Sequence, residues 1–201
     1  DVLGSRGLGD VYKRQHTFYT QHTEEFYDFY KNKMIFLDAK PNKAHLKLAE
    51  MERAGKLSAI VTQNIDGLHQ AAGSKNVFEL HGSVHRNYCQ KCGKFFDVNY
   101  VVNAKGVPYC DECGGIIKPD VVLYEEGLDS QTINGAVRAI SKADMLIIGG
   151  TSLVVYPAAG MIDYFKGKYL AVLNRDATSR DKQADLCITD PIGEVLGRIR
   201  V

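Results

Sequence analysis

The chain has 201 residues and a formal net charge of +1, with 45% apolar and 24% charged residues. This length suffices for one well-formed core plus a small module, and the composition is that of an ordinary globular protein. The balanced charge argues against a broad basic surface for nucleic acid, and no apolar run approaches the roughly 18–20 residues that span a bilayer.

The first fifteen residues, DVLGSRGLGDVYKRQ, differ in character from the rest of the chain. They show no hydrophobic period and offer no cap to a following helix. We interpret residues 1–15 as a translated sequencing or cloning junction, with a native flexible arm as the alternative, and exclude them from fold prediction. Because the chain carries no signal-peptide pattern and its cysteines fit a reducing compartment, we expect a cytoplasmic protein.

Two helices are predicted next along the chain. The first is predicted to have Thr23 as its cap. Its apolar positions follow helical spacing and are Phe26, Tyr27, Tyr30 and Met34. The second is predicted to begin near Pro41-Asn42 and to end at Gly55. Its buried positions are predicted to be Leu46, Leu48 and Met51.

Short apolar runs then alternate with helical stretches. The runs that predict strands are residues 57–61, 77–80, 121–124, 145–149, 169–173 and 186–189. The helical stretches lie near residues 66–72, 130–142, 157–165 and 191–199. Continuous apolar strands such as MLIIGG and YLAVLN indicate a parallel sheet that is covered on both faces. The alternation predicts an α/β fold, with a doubly wound, Rossmann-like parallel sheet.

Four cysteines form two C-x-x-C pairs with seventeen residues between them, a spacing that is typical of a structural zinc site. The four are Cys89, Cys92, Cys110 and Cys113. Gly93 and Gly114 follow the pairs directly, where a chelating turn tends to need a positive φ. The alternative is two disulfides or unrelated thiols. We predict a zinc module over residues 85–118, inserted into a nucleotide-binding domain formed by residues 16–84 and 119–201.

The fifth cysteine, Cys187, stands alone in an apolar run. We expect it to be a small, buried apolar filler.

Polar clusters follow four of the predicted strands, where an open parallel sheet binds its ligands. They are residues 62–66, 81–82, 149–152 and 174–176. Taken singly, each cluster also fits an ordinary turn or helix cap. Together they predict a nucleotide-binding α/β protein with a zinc insertion.

Eight ordered motifs carry a resemblance to a known family. They are PNKAH (41–45), TQNIDGLH (62–69), ELHG (79–82), the two C-x-x-C pairs, KPDVVLYEE (118–126), GGTSLVVYPAAG (149–160), LNRD (173–176) and ITDPIGEVL (188–196). From about residue 20 onward the chain resembles the sirtuins, the NAD-dependent protein deacylases, and most closely their bacterial branch.

The resemblance implies a reaction and a set of site residues. The acyl group of an acyl-lysine protein passes to ADP-ribose, nicotinamide is released, and His81 is the general base. The expected NAD-binding residues are Gln63, Asn64, Ile65, Asp66, Gly150, Thr151, Ser152, Asn174, Arg175, Asp176 and Ile188. Val121 and Val122 match the strand that pairs with an extended substrate peptide. One zinc ion on the four cysteines would be structural.

The chain also departs from the family pattern. Sirtuins begin with a G-A-G-x-S motif and a P-D-F-R motif, and neither motif occurs in this sequence. We therefore expect that about the first third of the catalytic domain is missing and that this chain binds NAD poorly and turns over little. We expect acetyl to be the preferred acyl group. We also expect the protein to be a monomer. The alternatives are an NAD-dependent protein ADP-ribosyltransferase and a non-enzymatic zinc-ribbon binding module.

Overall fold

The computed structural model describes residues 8–201, which form an α/β fold. The α-helices are α1 (Leu8–Tyr12), α2 (His16–Gln21), α3 (Thr23–Lys33), α4 (Lys43–Arg53), α5 (Leu68–Ala71), α6 (Val98–Asn103), α7 (Ser130–Lys142) and α8 (Ile192–Gly197). The strands are β1 (Ile60–Thr62), β2 (Val77–Glu79), β3 (Gly82–Cys89), β4 (Phe95–Phe96), β5 (Ile117–Val121), β6 (Met145–Gly149), β7 (Tyr169–Leu173) and β8 (Leu186–Ile188). Two 3₁₀ helices cover Ala158–Tyr164 and Asp181–Gln183. No helix within this part of the chain is both long and apolar enough to cross a membrane.

The parallel strands form two sheets. Strands β1 and β2 pair with each other, and β6, β7 and β8 form a three-stranded sheet in that order. Within residues 8–201, β1 pairs only with β2 and β6 only with β7, so each has one unpaired edge. The predicted α/β fold with parallel strands is confirmed, although the described strands do not join into one continuous sheet.

Helix α7 packs between the two parallel sheets. Asp129 caps it by accepting a hydrogen bond from the backbone N–H of Thr132 at 2.7 Å. Its buried Ala136 and Ile140 share one apolar cluster with side chains of both sheets. Gly135 permits the close approach to β2, because a Cβ there would lie 2.3 Å from the ring of Phe78. Helix α7 therefore sets the spacing of the two sheets.

A third sheet is antiparallel and has the order β4-β3-β5. It packs against α3, whose Phe26, Tyr27 and Tyr30 are fully buried. Lys31 at the end of α3 donates to the carbonyl oxygen of Ala104 at 2.6 Å and to that of Gly106 at 2.7 Å. The aromatic helix therefore holds the cysteine-bearing sheet in place.

Helix α4 begins and ends as predicted, but its buried face is different. Asn42 forms a capping box with His45, and Gly55 follows the end of the helix with a φ of 70°. The prediction that Leu46 is buried is wrong, since 52% of it is exposed. The buried residues are Ala44 and Ala49. Leu46 lies two positions after Ala44 and therefore points to the opposite side of the helix.

Other predicted elements are shifted or have different partners. The strand predicted at residues 121–124 ends at Val121 and belongs to the antiparallel sheet. The strand predicted at residues 57–61 is β1, which begins at Ile60. Thr23 is the first residue of α3 and not its cap, and its hydroxyl donates to the carbonyl oxygen of Tyr19. The residue at the cap position is His22.

The prediction that Cys187 is buried is also wrong. It lies on β8, which among the described residues 8–201 pairs on one side only, with β7. Its side chain is exposed, and its sulfur lies 3.6 Å from the carbonyl oxygen of Asp181. An edge position with a short strand explains why an apolar run does not bury this thiol.

Residues 1–15 are excluded from the fold prediction, and the structure describes the second half of them, residues 8–15. Residues 1–7 lie outside the described residues. Helix α1 follows them, and Gln15 forms an isolated parallel bridge with Tyr124. The backbone N–H of His16 donates to the carbonyl oxygen of Tyr124 at 3.0 Å.

Candidate active site and metal centre

The side chain of His81 lies where β2 ends and turns into β3. Its Nδ1 is 3.0 Å from the carbonyl oxygen of Gln63, which follows β1. A carbonyl oxygen can only accept, so Nδ1 carries the hydrogen and Nε2 of the neutral ring has a free lone pair. Burial lowers the pKa of His81 below the usual 6.5, and the bond to Gln63 opposes this only partly. Near neutral pH the ring is therefore an uncharged proton acceptor at Nε2.

The loop after β1 is fixed by local hydrogen bonds. The N–H of Asn64 donates to the hydroxyl of Thr62 at 3.1 Å, and the carboxylate of Asp66 accepts from the N–H of Leu68 at 3.0 Å. The carbonyl oxygen of Ile65 accepts from the N–H of Val84 at 3.0 Å. These bonds hold the loop between β1 and β3. The side chain of Asn64 stays exposed.

The turn that follows His81 depends on glycine. Gly82 has a φ of 72°, and a Cβ at this position would lie 1.8 Å from the carbonyl oxygen of Asp120. Only glycine allows so close an approach of the two strands. The carbonyl oxygen of His81 accepts from the N–H of Val122 at 3.0 Å. The backbone of His81 is thus bonded directly to the residue after β5.

The two other predicted clusters, residues 149–152 and 174–176, lie with Ile188 at the carboxyl edge of the three-stranded sheet. The last residues of its strands, Gly149, Leu173 and Ile188, are in register with one another. Gly150 turns away from β6 with a φ of 62°, and the hydroxyl of Thr151 accepts from the N–H of Leu153 at 3.2 Å.

Asn174 follows β7 at the same edge. Its N–H donates to the carbonyl oxygen of Ile188 at 3.0 Å, and its side-chain amide donates to the carbonyl oxygen of Asp176 at 2.8 Å. Ser152, Arg175 and Asp176 are exposed. The predicted NAD-binding residues thus form two groups, one around His81 and one at this edge. Their free polar groups and tight glycine turn suit a ligand rich in hydroxyls and phosphates.

The four cysteines of the C-x-x-C pairs come together in one cluster. Their sulfur atoms all lie within 4.8 Å of one another. The sulfur atoms of Cys89 and Cys113 are 3.4 Å apart, and those of Cys92 and Cys110 are 3.7 Å apart. A zinc tetrahedron with Zn–S bonds of about 2.3 Å needs sulfur atoms about 3.8 Å apart.

The backbone around the cluster also fits a metal centre. Gly93 and Gly114 have the predicted positive φ angles, 73° and 67°. A Cβ on Gly115 would lie 2.8 Å from the sulfur of Cys89. The cluster therefore fits one zinc ion held by four thiolates. Such a centre has no open position for water or substrate, so the ion is structural.

A charged link beside the site is not indicated by any sequence motif. Arg86 on β3 donates to the carboxylate of Glu79 at 2.7 Å and to that of Asp120 at 2.7 Å. A histidine pair was not predicted either: the ring centroids of His45 and His69 lie 4.7 Å apart. These two histidines are the last residues of the PNKAH and TQNIDGLH motifs. Their place in two family motifs was the sequence signal that could have indicated the pair.

Comparisons of the sequence with known proteins identify its relatives. The family model described as the Sir2 family matches residues 8–157. An NAD-dependent protein deacetylase of Clostridium acetobutylicum is 66% identical over 182 residues, which cover 90% of this chain and 74% of the relative. One of Clostridium perfringens is 63% identical over 185 residues, which cover 92% of this chain and 76% of the relative.

The chain belongs to the Sir2 family. Solved sirtuin structures also share its fold. A Sir2 complex with a p53 peptide and NAD⁺ has a TM-score of 0.86 and 39% identity, with 96% of this chain and 81% of that chain covered. Sir2 bound to an acetylated peptide has a TM-score of 0.86 and 39% identity, with coverages of 95% and 82%. The relatives named here support neither the ADP-ribosyltransferase nor the zinc-ribbon alternative.

Loss of one thiolate should empty the metal centre of this sirtuin. In Cys110→Ser we expect the zinc content to fall from about one ion per chain to near zero. The antiparallel sheet should unfold, because the free energy of metal binding contributes to the stability of the folded state. Elemental analysis and circular dichroism measure both effects. Cys187→Ser, which removes a thiol outside the cluster, should keep its zinc. Unchanged zinc in Cys110→Ser would contradict the assignment.

Proposed function

We propose that this Sir2-family chain removes acyl groups, acetyl above all, from lysine side chains of proteins in an NAD-dependent reaction with His81 as the general base. The observation that carries the proposal is the bond between Nδ1 of His81 and the carbonyl oxygen of Gln63. It leaves Nε2 free in the loop-lined site. The name NAD-dependent protein deacetylase, borne by relatives at 66% and 63% identity, supports the reaction.

His81 moves one proton in this account. NAD, when bound, supplies the ADP-ribosyl group that takes up the acyl group, and nicotinamide is released. Nε2 of His81 accepts the proton of a ribose hydroxyl, which makes that hydroxyl a better nucleophile. The pKa of His81, lowered by burial, keeps the ring unprotonated and ready for this step near neutral pH.

The residues proposed to hold NAD divide between the two groups. Gln63, Asn64, Ile65 and Asp66 are proposed to line the nicotinamide and its ribose, because amide and carboxylate groups suit a carboxamide and hydroxyls. The other group is proposed to hold the adenosine half and the phosphates. Its members are Gly150, Thr151, Ser152, Asn174, Arg175, Asp176 and Ile188. A carboxylate such as Asp176 beside the adenine ribose favours NAD over NADP.

The substrate is proposed to bind as an extended peptide along Val121 and Val122. Val122 is half-buried and is bonded through its N–H to the carbonyl oxygen of His81. Main-chain bonds to a strand give affinity without demanding one sequence, which suits a protein that acts on many lysines. Structures of Sir2 with an acetylated and with a propionylated peptide support acylated lysine as the recognised group.

We propose the domain division predicted from sequence, with residues 85–118 as the zinc module and residues 16–84 and 119–201 as the NAD-binding domain. Because the cysteine centre requires thiolates, we also propose that the protein resides in the reducing cytoplasm. We propose that it acts as a monomer.

Replacement of the base should stop acyl transfer. In His81→Ala we expect the rate of acyl transfer to fall by about 100-fold or more, since general bases contribute about that much. NAD binding should persist, because the loop and the glycine turn remain. The rate is measured as acylated ADP-ribose formed from an acetyl-lysine peptide. The same substitution at the aligned histidine of the Clostridium acetobutylicum relative, which is 66% identical, is assayed alongside.

His22→Ala is the matched control, because His22 is exposed at the start of α3 and far along the chain from the site. It should retain the full rate. A near-normal rate in His81→Ala would remove His81 from its role. Transfer of labelled ADP-ribose onto protein, without acylated ADP-ribose, would instead favour a transferase.

The 201-residue polypeptide by itself is expected to bind NAD weakly. In residues 8–201, β1 and β6 each leave one edge unpaired, so the two groups of NAD-binding residues are not joined by a continuous sheet. Calorimetric titration should give a Kd weaker than about 1 mM. A micromolar Kd would contradict this expectation.

A further inference from the structure

Arg86 joins two sheets that carry different parts of the proposed site. It lies on β3, and its Nη1 donates to the carboxylate of Glu79 on β2 while its Nε donates to that of Asp120 on β5, both at 2.7 Å. A guanidinium keeps its charge and presents donors in a rigid planar fork, so one side chain holds two carboxylates at a fixed separation. The side chain of Glu79 is only 8% exposed, so it depends on this partner.

The link lies where the backbone ladder is interrupted. Ser83 pairs with Asp120, but the next paired residue of β3 is Asn87, opposite Pro119. Proline has no N–H to donate, and the residues between Ser83 and Asn87 form an irregularity. Arg86 lies within this gap. Its side chain therefore supplies the connection that main-chain hydrogen bonds do not make there.

The two carboxylates that Arg86 joins lie close in sequence to the proposed base and to the proposed peptide-binding residues. Glu79 precedes His81 by two residues, and Asp120 directly precedes Val121. The N–H of Val122 and the carbonyl oxygen of His81 are already joined at 3.0 Å. A shift of β2 against β5 would break this bond and change the distance between the imidazole and the substrate strand.

We propose that Arg86 is a positioning residue. It fixes β2, which leads to His81, against β5, which leads into the proposed peptide-binding residues Val121 and Val122. The proposal rests on the proposed function, in which Val122 belongs to the peptide-binding strand. Arg86 is not among the residues proposed to hold cofactor or peptide, and it acts through Glu79 and Asp120. Lysine cannot replace it, because one ammonium group lacks the planar fork that reaches both carboxylates.

The test compares amide hydrogen exchange at two positions of the 201-residue chain by NMR. The amide of Val122 reports the bond between the strands, and that of Leu80, which donates to the carbonyl oxygen of Thr62 at 2.9 Å, reports the neighbouring parallel sheet. In Arg86→Met we expect exchange at Val122 to become about ten-fold faster, and exchange at Leu80 to become faster too, because the buried carboxylate of Glu79 beside it loses its partner. Arg86→Lys should behave like Arg86→Met.

Two further variants separate positioning from general stability. Asp120→Ala cuts the link at its more exposed end and leaves Arg86 paired with Glu79, so it should fold and still accelerate exchange at Val122 alone. Arg180→Met removes a comparable ion pair, to Asp163 at 2.6 Å, and should leave both amides unchanged. Equal acceleration of the Val122 and Leu80 amides in Asp120→Ala, or acceleration of neither, would overturn the proposal.

A second readout uses a fluorescein-labelled peptide with one acetyl-lysine. Fluorescence polarisation should show about five- to ten-fold weaker binding in Asp120→Ala and unchanged binding in Arg180→Met. Unchanged binding in a variant whose Val122 amide exchanges faster would overturn the positioning role. If the unaltered chain does not bind the peptide, the proposed substrate strand is wrong, and the exchange data still decide whether Arg86 links the strands.

Discussion

The hydrogen bond between Nδ1 of His81 and the carbonyl oxygen of Gln63 joins the ends of two parallel strands. It lies one step beyond a regular ladder, in which Thr62 pairs with Glu79 and the N–H of Leu80 donates to Thr62. The parallel pairing therefore brings the imidazole to the amide-rich loop. The bond fixes the tautomer, and burial keeps the ring neutral, so both properties of a proton acceptor arise from the fold.

A single strand connects this histidine to the metal centre. Strand β3 begins at Gly82, directly after His81, and ends at Cys89, one of the four clustered cysteines. The buried aromatic residues of α3 pack against the same sheet. A zinc ion on these four thiolates would have no coordination site for substrate and would stabilise the sheet that also carries Val121. In the proposed function its contribution is to hold the proposed substrate strand against the proposed base.

The sequence predicted best those elements whose signals are local. Helix α7, β6 and β7 have the predicted bounds, because each is a continuous apolar run or a capped amphipathic stretch. The metal cluster was likewise predictable, since the spacing of four cysteines leaves few other arrangements. His81 was selected as the candidate base from its motif, and the structure places its ring against the predicted loop.

Features that depend on distant partners were not predictable in the same way. Strand β5 contains Pro119 and pairs antiparallel with β3, which no local pattern indicates. The exposure of Leu46 depends on which face of α4 meets α8, and that of Cys187 on its place at a sheet edge. Arg86 joins carboxylates that are 7 and 34 residues away in the sequence, so only the folded chain reveals the link.

The state of the His81 ring tests the account most directly. Nitrogen-15 NMR of the histidine side chains resolves which ring nitrogen carries the hydrogen and follows the titration. The account predicts a neutral ring at pH 7 with the hydrogen on Nδ1 and a protonation midpoint below 6.5, because burial disfavours the charged form. A ring with the hydrogen on Nε2, or one that is still charged at pH 7, would contradict the account.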